Sequence, residues 1–211
     1  MKIKTILIGV AIMLIAFSSN VKGQSLKDYF LPESPYTKAF FYWPTKNGKA
    51  SNHTKVITYM ENGDNYDVID TVYDNKKSES VTVKTVQVTD SAVKIIQTVS
   101  TVHKVIGKEK DYDPPITIMR IPVEGQTVDW TSTDLEGAPM KCTAVWTTVM
   151  INNENRQAIK VESKYTDLRG KNIDYYVKGI GLWKLEVENS SKAIIMFYKF
   201  DRLNYSGGSG R

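Results

Sequence analysis

The sequence predicts an all-β protein: a large curved antiparallel sheet or half-open barrel of about twelve strands in a meander, with little helix. Three observations predict it. From Phe40 onward Val, Ile, Thr, Tyr and Trp gather in short runs, the residue types that fit a pleated, half-buried surface. Between the runs lie clusters of Asn, Gly, Asp, Ser and Pro, the residues of turns between antiparallel strands. After the N-terminal segment no stretch carries a strong helical period, apart from one turn around Ser25 to Tyr29.

Residues 1–23 open Met-Lys-Ile-Lys, run apolar from Thr5 to Phe17 and end in the polar stretch Ser18 to Gly23. This is the three-part pattern of a signal peptide, with Val21 and Gly23 at the small-residue positions and cleavage expected before Gln24. The apolar run falls short of the ~20 residues of a membrane span, so removal and a soluble product outside the cytoplasm, periplasmic or extracellular, are expected. No cysteine near the cut is available for a lipid anchor. What remains is 188 of 211 residues, read as a single β-rich domain over 24–205 and a flexible tail over 206–211. With 41% hydrophobic and 24% charged residues, the chain can build a core and is neither disordered nor collagen-like.

The formal charge of +5 changes with export. Lys2, Lys4 and Lys22 account for three of the 28 bases and the segment holds none of the 23 acids, leaving +2. The remaining charges alternate in sign and form no basic block. Nucleic acid is therefore not expected as a partner, nor is a membrane span after signal removal.

Strands are predicted near residues 38–43, 53–61, 65–74, 79–89, 92–105, 115–121, 126–133 and 140–151. Val81 and Val83 share one parity and Val86 and Val88 the other, so a bulge is expected between them. Gly107 to Pro115, which ends in Asp113-Pro114-Pro115, reads as a long surface loop, because proline cannot sit in a central ladder. A four-strand meander closes the chain. Ile159, Val161, Ser163 and Tyr165 form a largely apolar row against Ala158, Lys160, Glu162 and Lys164. Asp167 to Gly170 turns, and Ile173, Tyr175 and Val177 continue the apolar alternation. Gly179-Ile180-Gly181 turns again, Trp183, Leu185 and Val187 oppose Lys184, Glu186 and Glu188, and a strand from Lys192 to Leu203 follows the turn at Asn189. Lysines and glutamates on the outer row argue against an outer-membrane barrel, whose wall shows lipid an uncharged band. The last strand is apolar on both parities between Lys192 and Phe200, so it needs cover on both sides.

Reactive chemistry finds little to work with. His53 and His103 are the only histidines and Cys142 the only cysteine, and no metal-ligand spacing joins them. No metal and no cofactor are expected. Cys142 reads as a buried strand residue. Glu61 to Asp67 is rich in oxygen but lacks the twelve-residue length and closing glutamate of a calcium loop, so it reads as a hairpin turn. Asp111, Asp113, Asp129 and Asp134 lie nearest the predicted loops, and nothing in their spacing marks a catalytic pair. No catalytic residue is assigned, and the chain is read as not an enzyme.

The stretch Tyr175-Tyr176-Val177-Lys178-Gly179-Ile180-Gly181-Leu182 resembles a signature of exported bacterial β-rich domains of unknown function. Ile121 to Trp130 and the opening Asp28-Tyr29-Phe30-Leu31-Pro32 are similar to other elements of such domains. Trp183 stands where an aliphatic residue is commoner, and Asp129 places a charge before Trp130. The resemblance implies a curved sheet related to the half-barrels of envelope lipoprotein carriers and implies no activity. The function expected is a non-enzymatic domain of the bacterial cell envelope that binds or carries an apolar small molecule or an envelope protein. The alternative is a structural or accessory interaction domain without a ligand, and a carboxylate hydrolase ranks last. Phe41, Trp43, Trp130, Trp146, Tyr176 and Trp183 are the candidate ligand-binding residues, as large aromatics on predicted strands.

Overall fold

The computed structural model describes residues 25–34, 37–44, 50–102, 105–167, 170–191 and 194–205. The segments expected to be a signal peptide (1–23) and a tail (206–211), His103 and the Trp43 side chain lie outside what it describes. One short helix, α1 (Leu26–Phe30), precedes thirteen strands: β1 (Thr37–Pro44), β2 (Ala50–Asn62), β3 (Asn65–Asp74), β4 (Lys77–Val88), β5 (Ala92–Val102), β6 (Val105–Ile106), β7 (Lys110–Arg120), β8 (Val128–Thr133), β9 (Pro139–Ile151), β10 (Glu154–Tyr165), β11 (Lys171–Val177), β12 (Gly181–Glu188) and β13 (Ile194–Tyr205). The described residues thus form the antiparallel, helix-poor fold that the composition predicts.

All thirteen strands join one sheet, ordered β6-β5-β4-β3-β2-β1-β13-β12-β11-β10-β9-β8, with β7 also paired to β5. Neighbours in sequence are mostly neighbours in space, as two-residue turns dictate. Asn75 and Lys76 join β3 to β4, and Asn152 and Asn153 join β9 to β10, all four in the left-handed region that such hairpins require. Two pairings depart from the meander: β7 against β5, and β1 against β13, which brings the two ends of the domain together in the middle of the sheet.

The sheet is not closed into a barrel, yet its end strands meet. Trp130 Nε1 and Ser132 Oγ on β8 both donate to the Thr117 carbonyl of β7, at 3.0 and 2.8 Å. A flat sheet would hold these strands far apart, so the sheet curls until side chains bridge the gap that backbone pairing leaves.

Two sequence readings change here. Gly107 to Pro115 is not a loop throughout, because β7 begins at Lys110. Asp111 pairs with Gln97, Ile116 pairs with Ile95, and the register shifts between those pairs, so residues 112–115 form an irregular step at which the prolines leave the ladder. The slip expected in β4 does occur, between Thr85 and Val86, but Thr85 faces Gln97 and Val86 faces Ile95. The extra residue is therefore Ile96 on the partner strand.

The β10–β11 hairpin carries the larger correction. Val161 pairs with Asp174 and Glu162 with Ile173, and paired residues share a face. Ile173, Tyr175 and Val177 therefore sit behind the charged row of β10, while Asn172, Asp174 and Tyr176 face inward with Ile159 and Val161. On β12 a further slip, Tyr175 to Lys184 and Tyr176 to Leu182, leaves Trp183 as the extra residue. It joins Tyr175 on the outer side in a small cluster with Val149, Ala158, Val177 and Ile180.

Candidate functional site

The inner face holds the main core, and α1 is part of it. Leu26, Tyr29 and Phe30 are buried. Ser25 caps the helix by accepting from Lys27 N. The Tyr29 ring stands edge-on to Trp146 at 5.1 Å and its hydroxyl donates to Gln157 at 2.8 Å. Phe30 lies between Tyr59 of β2 and Tyr176 of β11, with centroids at 6.4 and 5.9 Å. The aromatic start of the domain is thus a plug filling one end of the curved sheet.

The Gly179-Ile180-Gly181 turn makes this possible. Gly179 N donates to the Asp28 carbonyl at 2.8 Å, and Glu33 N donates back to the Gly179 carbonyl at 3.2 Å. Both glycines have positive φ, +75° and +79°. A Cβ on Gly181 would stand 2.9 Å from the Phe30 carbonyl oxygen. Only glycine gives the backbone this conformation and this approach together.

Beyond the plug the interior becomes polar. Lys55 on β2, Asp70 on β3 and Lys84 on β4 point inward from adjacent strands. The pairings Ile57 to Asp70 and Val68 to Lys84 set both lysines diagonal to the carboxylate, within reach of their long side chains. Lys55 Nζ lies 2.7 Å and Lys84 Nζ 3.7 Å from Asp70 Oδ2. Burial works to raise the Asp70 carboxyl, but the two ammonium groups outweigh it and hold it below its ordinary value. Burial lowers Lys84, against the pull of Asp70.

Asp174 enters the same interior from β11. Its Oδ1 is shut off from solvent and has no hydrogen-bond partner among the described residues, as is true of Asp70 Oδ1. Burial pushes the Asp174 carboxyl up to about 6, against the opposing fields of Lys55 and Lys84. Two lysines and two aspartates therefore share one half-buried region, and only one aspartate has an ion-pair partner there.

Asp174 and Lys84 line a hollow of about 450 Å³ between β4, β5 and β7 on one side and β8 to β11 on the other. Ile95, Ile116, Ile118 and Met140 supply apolar wall, while Asn172, Ser163, Thr133 and the β8–β9 turn supply polar edge. Ile95, Ile116 and Met140 are themselves buried, and with Asp134 and Glu136 also in the lining the surface that the hollow exposes is more polar than apolar.

The sequence-based candidates are distributed otherwise. Phe41 is buried against Phe200, with ring centroids at 5.9 Å. Trp130 is buried in the β7–β8 contact, Trp146 donates to the Pro122 carbonyl at 2.8 Å and packs on Tyr29, and Tyr176 packs on Phe30. Trp183 faces the outer cluster, edge-on to Tyr175 at 6.4 Å. None of these five lines the hollow. Lys55, Asp70, Lys84 and Asp174 were not foreseen. Lys55 and Lys84 interrupt apolar parity on their strands, a weak signal, whereas Asp174 gives none, because its inward position depends on the hairpin register.

The polar readings can be placed as well. His53 Nδ1 lies 3.3 Å from Asp74 at the exposed end of β2. Asp67 accepts from Asn62 and Thr85, Asp111 from Gln97, and Asp134 from the amides of Glu136 and Ala138 in its own turn. Asp113 and Asp129 are exposed. Cys142 is buried, and desolvation pushes its thiol up despite a hydrogen bond with Ser163. Among the described residues no group of three or more His, Cys, Asp or Glu could hold a metal ion, and no helix is long and apolar enough to cross a membrane.

No protein-family model and no curated protein matches the chain. Two solved structures are similar to the chain. One is a Bacteroides fragilis protein described as exported, with a YmcC-like fold: 12% identity, TM-score 0.43, covering 84% of this chain and 100% of that one. The other is a Parabacteroides distasonis protein described as a lipoprotein: 7% identity, TM-score 0.39, covering 84% of this chain and 99% of that one. Likeness at this level carries nothing about what the chain binds.

Proposed function

We propose that the protein is an exported, non-enzymatic binding domain of the cell envelope that takes a small ligand with an apolar body into the hollow between β4–β5–β7 and β8–β11. The observation that carries this reading is the hollow itself: about 450 Å³, with Ile95, Ile116, Ile118 and Met140 in a lining that also holds Lys84, Asp134, Glu136 and Asp174. Export is supported by the three-part N-terminal segment. A binding role in preference to catalysis is supported by the lining, in which no His or Cys stands beside Asp174. Burial also keeps the Cys142 thiol protonated at neutral pH.

The test is uptake of the neutral fluorophore N-phenyl-1-naphthylamine by the mature protein. One-to-one binding with blue-shifted emission is expected, weakened at least about tenfold by Ile116→Asp, which sets an unpaired charge in the apolar wall. Absence of uptake, or uptake indifferent to Ile116→Asp in a variant with native near-UV circular dichroism, removes the reading.

A second reading has an observation of its own. Val105 and Ile106 are 72% and 76% exposed on the two-residue strand at the sheet edge, beside Val102 at 49%. An accessory domain that accepts a partner's strand would present such an edge.

A further inference from the structure

The outer face of the sheet carries a concavity of its own, away from the hollow. Phe40 and Tyr42 on β1, Thr54 and Val56 on β2 and Tyr73 on β3 line an open groove of about 690 Å³, whose exposed surface is more apolar than polar. Tyr42 pairs with Thr54 and Thr54 with Tyr73, so the three share one face, opposite to the Lys55–Asp70 pair. Both tyrosines are half-buried, and the short Thr54 stands between them. Twice the strand spacing sets the backbones of β1 and β3 about 9.5 Å apart. A ring in contact on both of its faces needs about 7–8 Å between its neighbours. The row therefore leaves a slot for one ring, floored by Thr54.

The rim of the groove is polar and carries an excess of positive charge. Arg202 lies over the Phe40 ring at 4.6 Å and is ion-paired with Asp201. Asn52 donates to Asn75 at 2.8 Å, which ties the turn carrying Lys76 to β2. Among the lining residues Lys76 and Arg202 outnumber Asp201 by one, and Lys38 adds a positive charge two residues before Phe40 on the same face. His53 and Asp74 adjoin Thr54 and Tyr73 in sequence and so face the other side. Aromatic surfaces with hydrogen-bonding groups of both kinds at the edge complement a pyranose, whose C–H groups form two apolar faces and whose hydroxyls radiate from its rim. The excess positive charge complements a carboxylate on that sugar. A peptide strand finds no backbone edge here, since β1, β2 and β3 each have a strand on either side. Asp201 opposes the continuous phosphate of a nucleic acid. We propose that the groove binds an acidic saccharide, one pyranose ring between Tyr42 and Tyr73 and its carboxylate toward Lys76 and Arg202. The groove and the hollow are separate sites, so neither reading depends on the other.

The experiment is calorimetric titration of the mature protein at low salt with tetragalacturonate, a mannuronate tetramer and a hyaluronan tetrasaccharide, each beside its carboxyl-reduced, neutral counterpart, and with an oligothymidylate. At least one acidic probe is expected to bind, about fivefold more tightly than its reduced counterpart, with the difference shrinking as salt is added. Thr54→Tyr fills the slot while keeping a strand-favouring residue on the outer face, and it is expected to weaken that binding at least about tenfold, as is Tyr73→Ala. Lys76→Glu is expected to erase the preference for the acid. Four outcomes would overturn the inference: no binding of any acidic probe, equal binding of acid and reduced counterpart, tighter binding of the oligothymidylate, or binding undiminished in a Thr54→Tyr protein with the wild-type urea midpoint.

Discussion

Asp174 is held inside the sheet by a neighbour, not by its own chemistry: pairing with Val161 fixes its face, and burial then raises its pKa from 3.8 to about 6. Because the folded value lies above the unfolded one, the native state binds the extra proton between those two values. Its stabilising contribution is full below pH 3.8 and is lost as pH rises through 6. Asp70 behaves oppositely, since a lowered carboxyl gives stability that is present at higher pH and lost as pH falls. Asp174→Asn separates the two. The variant is expected to exceed the wild type in stability by on the order of 2 kcal/mol at pH 8, with the gain falling toward zero at pH 3.5. Urea unfolding of both proteins at the two pH values measures this directly, and a gain of the same size at both would show that the Asp174 carboxyl titrates alike in the folded and unfolded protein.

At the scale of elements, the five residues of α1 are too few to be stable alone, so the helix exists because the sheet receives it. Tyr29 and Phe30 are placed by Trp146, Gln157, Tyr59 and Tyr176, and the chain around them is fixed by backbone bonds to Gly179. Phe30→Ala is expected to cost about 3–5 kcal/mol, as large buried aromatics do. Gly181→Ala combines a positive φ with a close contact to the Phe30 carbonyl oxygen and is expected to cost roughly 2 kcal/mol. The two substitutions differ in what they touch but act on the same element. Limited proteolysis should therefore release the segment before β1 in both variants well before the sheet unfolds. A Gly181→Ala protein with wild-type protease resistance would show that the turn does not hold the plug.

At the scale of the whole molecule, the open side of the sheet is held by few contacts. The bonds from Trp130 and Ser132 to the Thr117 carbonyl join β7 and β8 where no backbone ladder does. Trp130→Phe keeps most of the buried surface and removes one donor. It is expected to cost about 1 kcal/mol and to speed amide exchange in β7 and β8 while leaving β2, β3, β10 and β11 unchanged, since those strands are paired on both sides. Uniformly faster exchange across the sheet would mean that this contact supports the entire fold and not its opening. Because these strands also bound the hollow, the same variant should speed both entry and exit of the fluorophore.

Local pattern was enough to read most of the strands, their turns and a helical turn around Ser25 to Tyr29, because alternation and turn residues act within a few positions along the chain. The apolar row of β10 and the register slip near Val86 were legible for the same reason. Which face Asp174, Tyr175 and Trp183 occupy was not, because a slip of one residue between paired strands turns every side chain over, and such slips are settled by neighbours distant in sequence. The last strand, apolar on both parities, announced that something must cover it, but only the tertiary structure packed Tyr29 and Phe30 inside the sheet and put Lys55, Asp70, Lys84 and Asp174 around one interior. Sequence alone determined a pleated architecture. The placement of charge inside it was decided by curvature, which brings together strands that the chain keeps about a hundred residues apart.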